Sequence, residues 1–153
     1  MEDHLNDIFR EAVMSGEDIF RLLSQRPPML MVDSFYGIEG AKAYCGLTIR
    51  EDNVFCLGGK FIEPGILEHA AQSVAAMAGY RNSLQGMPPE LGVLGEVKSF
   101  RIYALPFVGD TLMTEVEEKV SVLGTILAAV RVYCSGKTVA EGELKFALVG
   151  NEM

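Results

Sequence analysis

Apolar residues near the start of the chain recur at the spacing of a helix and then give way to strand-length runs. The first pattern predicts a short amphipathic helix over residues 3–14, whose apolar face consists of Leu5, Ile8, Phe9 and Val13. A short turn over 18–23 follows. The apolar runs 29–36 and 41–50 have the length of strands, and Pro27-Pro28 forces an extended entry into the first of them. Together these two runs predict a hairpin.

The middle of the chain predicts a polar, glycine-rich loop over 51–63 that leads into one long helix over 64–84. Pro64 suits the first position of a helix, where its missing N–H costs nothing. Beyond it the helix has almost no polar face, because apolar side chains occur at Leu67, Ala70, Ala71, Val74, Ala75, Ala76 and Ala78. A helix that is apolar all round is buried, so we expect this one at the centre of the protein.

The second half of the chain has the pattern of a sheet. Four long runs rich in valine, threonine, isoleucine and leucine predict strands over 91–103, 111–122, 125–134 and 138–148. Glycines such as Gly124 supply the turns between them. One hairpin, one apolar helix and four long strands indicate an α+β fold, in which an antiparallel sheet wraps around a single helix.

The composition narrows the class of protein. With 153 residues, 49% of them hydrophobic and 22% charged, the chain fits one globular domain, which we place at 22–150 after an N-terminal helical extension at 1–21. A net charge of −8 argues against a nucleic-acid partner. No apolar run reaches the ~20 residues needed to cross a bilayer, and the acidic N-terminus is unlike a secretory signal.

The cysteines and histidines indicate a reducing compartment and give no metal pattern. Three scattered cysteines favour free thiols over a disulfide framework. Their spacing, with only two histidines to help, matches no common set of metal ligands. The chain also has no dinucleotide fingerprint and no phosphate loop. We therefore expect a cytoplasmic protein without a metal or nucleotide cofactor.

A carboxylate inside the apolar helix is the first candidate for chemistry. Glu68 and Gln72 are four residues apart and therefore share one side of the helix. A carboxylate carried into an apolar interior is costly unless it is paired, neutralised or used. Glu68 could also anchor a loop, and Gln72 could simply satisfy buried backbone groups. His69 points about 100° away from Glu68 on the helix, so we expect it to be hydrogen-bonded and inert.

Four segments, in order, resemble the β-hydroxyacyl-acyl-carrier-protein dehydratases of fatty-acid synthesis, which have the hot-dog fold. They are residues 22–33, the loop and helix with Pro64-Gly65 and Glu-x-x-x-Gln, residues 97–110 with a Pro-Phe-Val-Gly-Asp turn, and residues 139–145. Within that family the chain is most similar to the subgroup found beside aryl-polyene and related pigment pathways.

The resemblance implies an acid, a base and a contact for an oxyanion. In the family, a loop histidine and a helix carboxyl from different subunits remove water from a 3-hydroxyacyl thioester. Backbone N–H groups at the helix N-terminus hold the thioester carbonyl, where enolate charge develops. A carboxyl group in an apolar slot keeps its proton more readily and can help a hydroxyl to leave. On this pattern Glu68 is the acid, while Gly65 and Gln72 bind the substrate, Gly65 as the oxyanion contact.

The chain departs from the family pattern in two places. Counting back without gaps from Pro64-Gly65, the family's loop histidine falls on Cys56, so Cys56 would have to serve as the base. A thiol needs a lowered pKa for that role, and Lys60 is the nearby cation in the sequence; Cys56 could instead be a small buried hydrophobe. Glu68 also lies closer to Pro64-Gly65 than the family spacing, and a gapless reading would place Ala70 at the acid position. Because the four-residue spacing from Glu68 to Gln72 matches the family's Glu-x-x-x-Gln, we assign the acid to Glu68. The shorter distance from Pro64-Gly65 then implies a shortened entrance to the helix.

These features predict a homodimeric 3-hydroxyacyl-acyl-carrier-protein dehydratase that produces a trans-2-enoyl thioester. A sheet with an open edge favours the pairing of two copies, and the family builds its sites between subunits. The substrate would be a thioester of acyl carrier protein or coenzyme A that brings its own phosphopantetheine, so no cofactor is expected. Two alternatives stay open: a hot-dog acyl thioesterase in which Glu68 activates water, and a non-catalytic acyl-binding protein or heterodimer partner.

Overall fold

The computed structural model describes residues 2–149 of the protein. Met1 of the expected extension and Gly150 of the expected domain lie outside these residues. The helices are α1 (Glu2–Ile8), a 3-10 helix (Gly16–Arg21) and α2 (Glu63–Ser83). The strands are β1 (Met14–Ser15), β2 (Ser34–Glu39), β3 (Lys42–Thr48), β4 (Cys56–Leu57), β5 (Lys60–Phe61), β6 (Leu91–Ile102), β7 (Thr111–Val122), β8 (Thr125–Cys134) and β9 (Lys137–Val149).

Seven of these strands form one antiparallel sheet in the order β1-β2-β3-β7-β8-β9-β6. The four long strands predicted in the second half of the chain are all present in it. β6 follows α2 in sequence but pairs with the last strand, β9, and so becomes an edge of the sheet. β4 and β5 form a separate short hairpin in the loop before α2. The sheet curls around α2, which confirms the predicted α+β hot-dog architecture.

Helix α2 lies at the centre of the fold because its sequence has no polar face to present to water. Its buried stretch runs from Gly65 to Gly79, interrupted by the half-buried Leu67 and Glu68. The inner face of the sheet packs on it through fully buried side chains such as Leu112 of β7 and Leu144 of β9. Burying a leucine-sized side chain contributes roughly 1.5–3 kcal/mol, so this interface fixes the position of the helix firmly.

Two predicted elements are shorter than the sequence pattern indicated. The strand expected over 29–36 begins only at Ser34, because side chains of α2, and not a neighbouring strand, bind the backbone of Met29 and Met31. The helix expected over 3–14 ends at Ile8. Its apolar residue Val13 instead donates its backbone N–H to the carbonyl of Phe35, at a distance of 2.8 Å.

The N-terminal extension packs against the sheet. β1 pairs with β2, and the Phe9 ring lies edge-on to the rings of Tyr36 and Tyr44, with centroids 5.0 Å and 5.7 Å away. The division into an extension and a domain stays a prediction. None of the helices within residues 2–149 has the length and apolar character needed to cross a membrane.

Candidate active site

A crevice of about 360 Å³ lies between α2, the edge strand β6 and the segment that carries Gln25. Its polar lining among the described residues consists of Gln25, Glu68 and Gln72. Its apolar lining includes Ala71, Ala75, Gly92, Leu94 and Phe146, which belong to α2, β6 and β9. A pocket with a mostly apolar wall and a few polar groups suits an acyl chain attached to a polar reacting centre.

Glu68 is half-buried in this crevice, as the apolar helix predicted. The side-chain amide of Gln72, one turn further along α2, donates a hydrogen bond to Oε2 of Glu68 over 2.8 Å. Among residues 2–149, no other hydrogen bond to the Glu68 carboxyl group is present, so Oε1 stays available for a ligand. The arrangement orients a single carboxyl group toward an apolar cavity.

Gln72 is almost fully buried and uses both ends of its amide. Its Oε1 accepts the backbone N–H of Met31 over 2.6 Å, and its Nε2 donates to the carbonyl of Met29 over 2.9 Å as well as to Glu68. Buried polar groups normally find such partners. Gln72 therefore anchors the 29–31 segment and orients Glu68. Its predicted contact with substrate stays a prediction.

His69 is buried and takes no part in the crevice. A carbonyl oxygen can only accept, so Nδ1, which lies 2.7 Å from the Met31 carbonyl oxygen, carries the proton. Nε2 then accepts the hydroxyl of Thr114 over 2.7 Å. Burial lowers the pKa of His69 to about 4, so the ring is neutral at neutral pH. The expectation of a hydrogen-bonded histidine in the interior is confirmed.

Gly65 lies at the N-terminus of α2, where a side chain would not fit. A Cβ there would lie 2.6 Å from Cβ of Phe55 and 2.7 Å from the ring of Phe61, closer than carbon atoms can approach. Its N–H donates to the carbonyl of Ile62 over 2.9 Å. A thioester oxygen bound to Gly65 would share this N–H with Ile62, and the oxyanion contact stays a prediction.

Cys56 lies in the short strand β4 and is not part of the crevice lining. Its Sγ donates to the carbonyl of Arg50 over 3.7 Å. Burial raises the pKa of the Cys56 thiol above its ordinary value. A base would need the thiolate form, so these surroundings give no support to Cys56 as a base, and that role remains untested.

Sequence reasoning did not single out Gln25. In the sequence it is one residue of the 22–33 segment, yet it lines the crevice, and its side-chain oxygen is buried without a donor among residues 2–149. A lone glutamine before Arg26 carries no local signal, because its position depends on how that segment packs on α2. Within the same described residues, no group of three His, Cys, Asp or Glu side chains could hold a metal ion.

Comparisons with known proteins agree on one family. A family model described as ApeP-like, ApeP dehydratase, matches residues 17–149. The 3-hydroxyacyl-[acyl-carrier-protein] dehydratase FabZ of Ruminiclostridium cellulolyticum is 31% identical over 141 residues, which cover 89% of this chain and 98% of that protein. The dehydratase of the same name from Caldicellulosiruptor saccharolyticus is 34% identical over 139 residues, covering 85% of this chain and 95% of that protein.

A solved structure supports the same fold. The dehydratase heterocomplex ApeI:P from Xenorhabdus doucetiae contains a chain that superposes with a TM-score of 0.79. The match covers 87% of this chain and 91% of that chain at 16% identity, so it bears on the fold. With the sequence relatives, it confirms the resemblance to hot-dog dehydratases.

Proposed function

This chain belongs to the ApeP-like family of dehydratases, and we propose that its substrate is a 3-hydroxyacyl thioester carried by acyl carrier protein. Glu68 carries the proposal: it is a carboxyl group fixed by Gln72 beside an apolar crevice. The two sequence relatives are 3-hydroxyacyl-[acyl-carrier-protein] dehydratases, which supports this choice of carrier. We place the reaction in the cytoplasm, in line with the free thiols of Cys45, Cys56 and Cys134.

In the proposed reaction Glu68 is the general acid. A base removes a proton from C2 of the substrate, and its electron pair forms the C2=C3 double bond. The C3–O bond breaks, and the hydroxyl oxygen takes the proton of Glu68 and departs as water. The product is a trans-2-enoyl thioester. Negative charge that develops on the thioester oxygen lies near the N-terminus of α2, where Gly65 is the proposed contact. Acid, base and oxyanion contact suffice for this elimination, so we propose no resident cofactor.

A second subunit would complete the site. The crevice is bordered by Gly92 and Leu94 of β6, which is an edge strand. Beside them Leu91, Val93 and Val97 are 51%, 48% and 42% exposed, an unusual amount for apolar side chains on one strand. We propose that another hot-dog chain covers this edge and brings its loop, the position of the family's base, to Glu68.

The partner is either a second copy or a different chain. The homodimer is our first proposal, because one edge strand can pair with its own copy about a two-fold axis. The heterodimer is favoured by one observation in this chain: the loop position expected to hold a histidine is Cys56, whose thiol pKa is raised. The solved dehydratase heterocomplex ApeI:P, one chain of which shares this fold, is an assembly of different chains.

The test is hydration of a crotonyl or longer enoyl thioester, followed as loss of its ultraviolet absorbance. We expect activity with the acyl-carrier-protein thioester, and a loss of roughly 100-fold or more in Glu68→Gln, since general acids contribute 10²–10⁴-fold. Glu63→Gln, which changes an exposed carboxylate at the start of the same helix, is the matched control and should retain activity.

Other outcomes point to the alternatives. Release of free thiol from an acyl thioester, without hydration, would support a thioesterase. If neither hydration nor thiol release is detected until a second hot-dog chain is added, the heterodimer would be supported. Unchanged turnover in Glu68→Gln would contradict the assignment of the acid.

A further inference from the structure

The crevice that holds Glu68 continues along α2 toward the C-terminal half of the helix. From Glu68 onward, its lining on this helix includes Ala71 and Gln72 and ends at Ala75. Glu68 and Ala75 are seven residues apart, which corresponds to about 10 Å along a helix axis. Beyond the carboxyl group the crevice therefore offers a path of this length, and the methyl groups of two alanines line its helix side.

The sheet closes the far end of this path. Phe146 of β9 pairs directly with Leu94 of β6, so both side chains point to the same face of the sheet, and both line the crevice. A Cβ added to Gly92 would lie 3.0 Å from the ring of Phe146 and 3.7 Å from Cβ of Ala75. An acyl chain needs carbon–carbon distances of about 4 Å on both sides. It therefore cannot pass between Gly92 and these two side chains.

The proposed reaction sets the direction of the substrate in the crevice. The thioester carbonyl would lie at Gly65, at the N-terminus of α2, and the C3 hydroxyl would lie at Glu68, about one turn later. A chain that continues from C4 in the same direction passes Ala71 and reaches Ala75. The opposite end, at Phe55 and the start of α2, is left for the sulfur atom and the pantetheine arm.

We propose that Ala75 and Phe146 limit the length of the acyl chain, so that the substrates are linear 3-hydroxyacyl groups of up to about ten carbons. This inference rests on the function proposed above. An extended chain advances about 1.2 Å per bond, so a path of about 10 Å beyond C3 accommodates about eight bonds. The crevice volume of about 360 Å³ lies near the lower end of the range for small-molecule pockets, as a chain of medium length requires.

The rate of hydration should depend on chain length in two phases. Burial of one CH₂ group corresponds to a factor of about four in binding, so kcat/KM should rise from the crotonyl to the decenoyl thioester. A dodecenoyl chain would press on the ring of Phe146, and overpacking is unfavourable. We therefore expect kcat/KM for the dodecenoyl thioester to be about tenfold lower than for the decenoyl thioester, a usual cost of a chain too long for its pocket.

The test measures hydration of the crotonyl, hexenoyl, decenoyl and dodecenoyl thioesters of acyl carrier protein, in the assembly that hydrates the crotonyl thioester. Ala75→Leu should lower the decenoyl-to-crotonyl ratio of kcat/KM about tenfold, because the leucine side chain fills the end of the path. The hexenoyl-to-crotonyl ratio should change less than about twofold, since a hexenoyl chain ends about 6 Å before Ala75. Leucine suits a helix nearly as well as alanine, and the ratios cancel any difference in the amount of folded protein.

A variant with a longer crevice and a matched control complete the test. Phe146→Leu should raise the dodecenoyl-to-decenoyl ratio about tenfold, because the smaller side chain leaves space where the ring was. A variant that is only destabilised would not gain a preference for longer chains. Ala147→Leu makes the same change as Ala75→Leu at an exposed position of β9, next to Phe146 but on the other face of the strand. It should keep every ratio within about twofold, as surface substitutions do.

Failure of this inference is distinguishable from failure of the proposed function. Three results would overturn the inference alone, because hydration continues in each: a wild type that hydrates the dodecenoyl thioester as fast as the decenoyl thioester, an unchanged decenoyl-to-crotonyl ratio in Ala75→Leu, or an unchanged dodecenoyl-to-decenoyl ratio in Phe146→Leu. If the wild type hydrates none of the four thioesters, even with a second hot-dog chain, the proposed function is wrong and the limit on chain length is overturned with it.

Discussion

At the scale of single residues, one amide links the proposed acid to the wall of its crevice. Gln72 holds Oε2 of Glu68 and also the backbone of Met29 and Met31. A carboxyl group held by an anchored donor loses little freedom when substrate binds. The pair therefore does more than share a face of α2: it couples the orientation of the carboxyl to the packing of a whole segment.

Protonation of His69 should destabilise the fold in acid. Its pKa is lowered from 6.5 to about 4 in the folded protein, chiefly by burial. The unfolded chain thus binds the proton more readily, so the stability is complete above pH 6.5 and falls as the pH drops toward 4. We expect the free energy of unfolding to decrease by about 2 kcal/mol between pH 7.5 and pH 5 from this group alone.

Urea unfolding at the two pH values measures this effect. His69→Gln should be less stable at pH 7.5, since it disturbs the bonds to Met31 and Thr114, but its stability should depend less on pH. His4→Gln, at an exposed position, should keep the full dependence because His69 remains. An equal pH dependence in wild type and His69→Gln would show that this histidine does not titrate as its surroundings require.

The sequence was informative for residues whose role follows from local spacing. Glu68 and Gln72 were found from their i, i+4 relation on an apolar helix, and His69 was separated from them by its angle on that helix. Gln25 could not be found, since its unpaired oxygen results from packing between residues distant in the chain. The surroundings of Cys56 also depend on the loop's tertiary contact with Arg50.

At the scale of elements, α2 packs closely at Gly79 against the backbone of Leu22, in the turn that leads to Gln25. Gly79→Ala would place a Cβ 1.9 Å from the carbonyl oxygen of Leu22, so one of the two elements must move. We expect a loss of about 1–3 kcal/mol in the free energy of unfolding, the usual cost of overpacking. Denaturant unfolding of the variant measures it.

Whether Gly79→Ala lowers or raises the free energy of unfolding decides whether the close contact exists. Alanine is favoured over glycine inside a helix by about 1 kcal/mol, so stabilisation would mean that the close contact does not exist. Gly95→Ala in β6 is the control, because an added Cβ there meets its nearest atom at an ordinary 3.5 Å. That variant should remain within about 1 kcal/mol of the wild type, the range of β propensity.

Elements whose hydrophobic residues recur with a clear helix or strand period were predictable from the sequence. Elements fixed by side chains distant in the chain were not. The sequence placed α2 and the four C-terminal strands within two residues of their observed ends. It also predicted a strand from residue 29, because an apolar run looks the same whether a strand or a helix side chain binds its backbone. The polar side chains of Gln72 and His69 decide that case, and no local pattern includes them.

At the scale of the whole molecule, the open edge of the sheet and the open side of the crevice lie together. β6 is unpaired on one side, and it also supplies Gly92 and Leu94 to the crevice. Val97 is paired with Leu144, which is fully buried against α2, so Val97 lies on the inner face of the sheet although it is 42% exposed. An inner-face valine at an open edge indicates a surface that a second chain covers.

The proposed assembly therefore predicts that Val97→Lys dissociates the protein and removes its activity together. A lysine at a covered apolar position would have to lose its hydration shell on pairing, a cost of several kcal/mol that exceeds what one valine contributes. Sedimentation should show a dimer in the wild type and a monomer in the variant, with enoyl hydration lost although Glu68 is intact. Val13→Lys places the same charge at an exposed valine beside the opposite end of the sheet and should leave both properties unchanged. A Val97→Lys dimer with normal turnover would mean that β6 is not the interface, and a monomer with normal turnover would mean that one chain supplies acid and base alone.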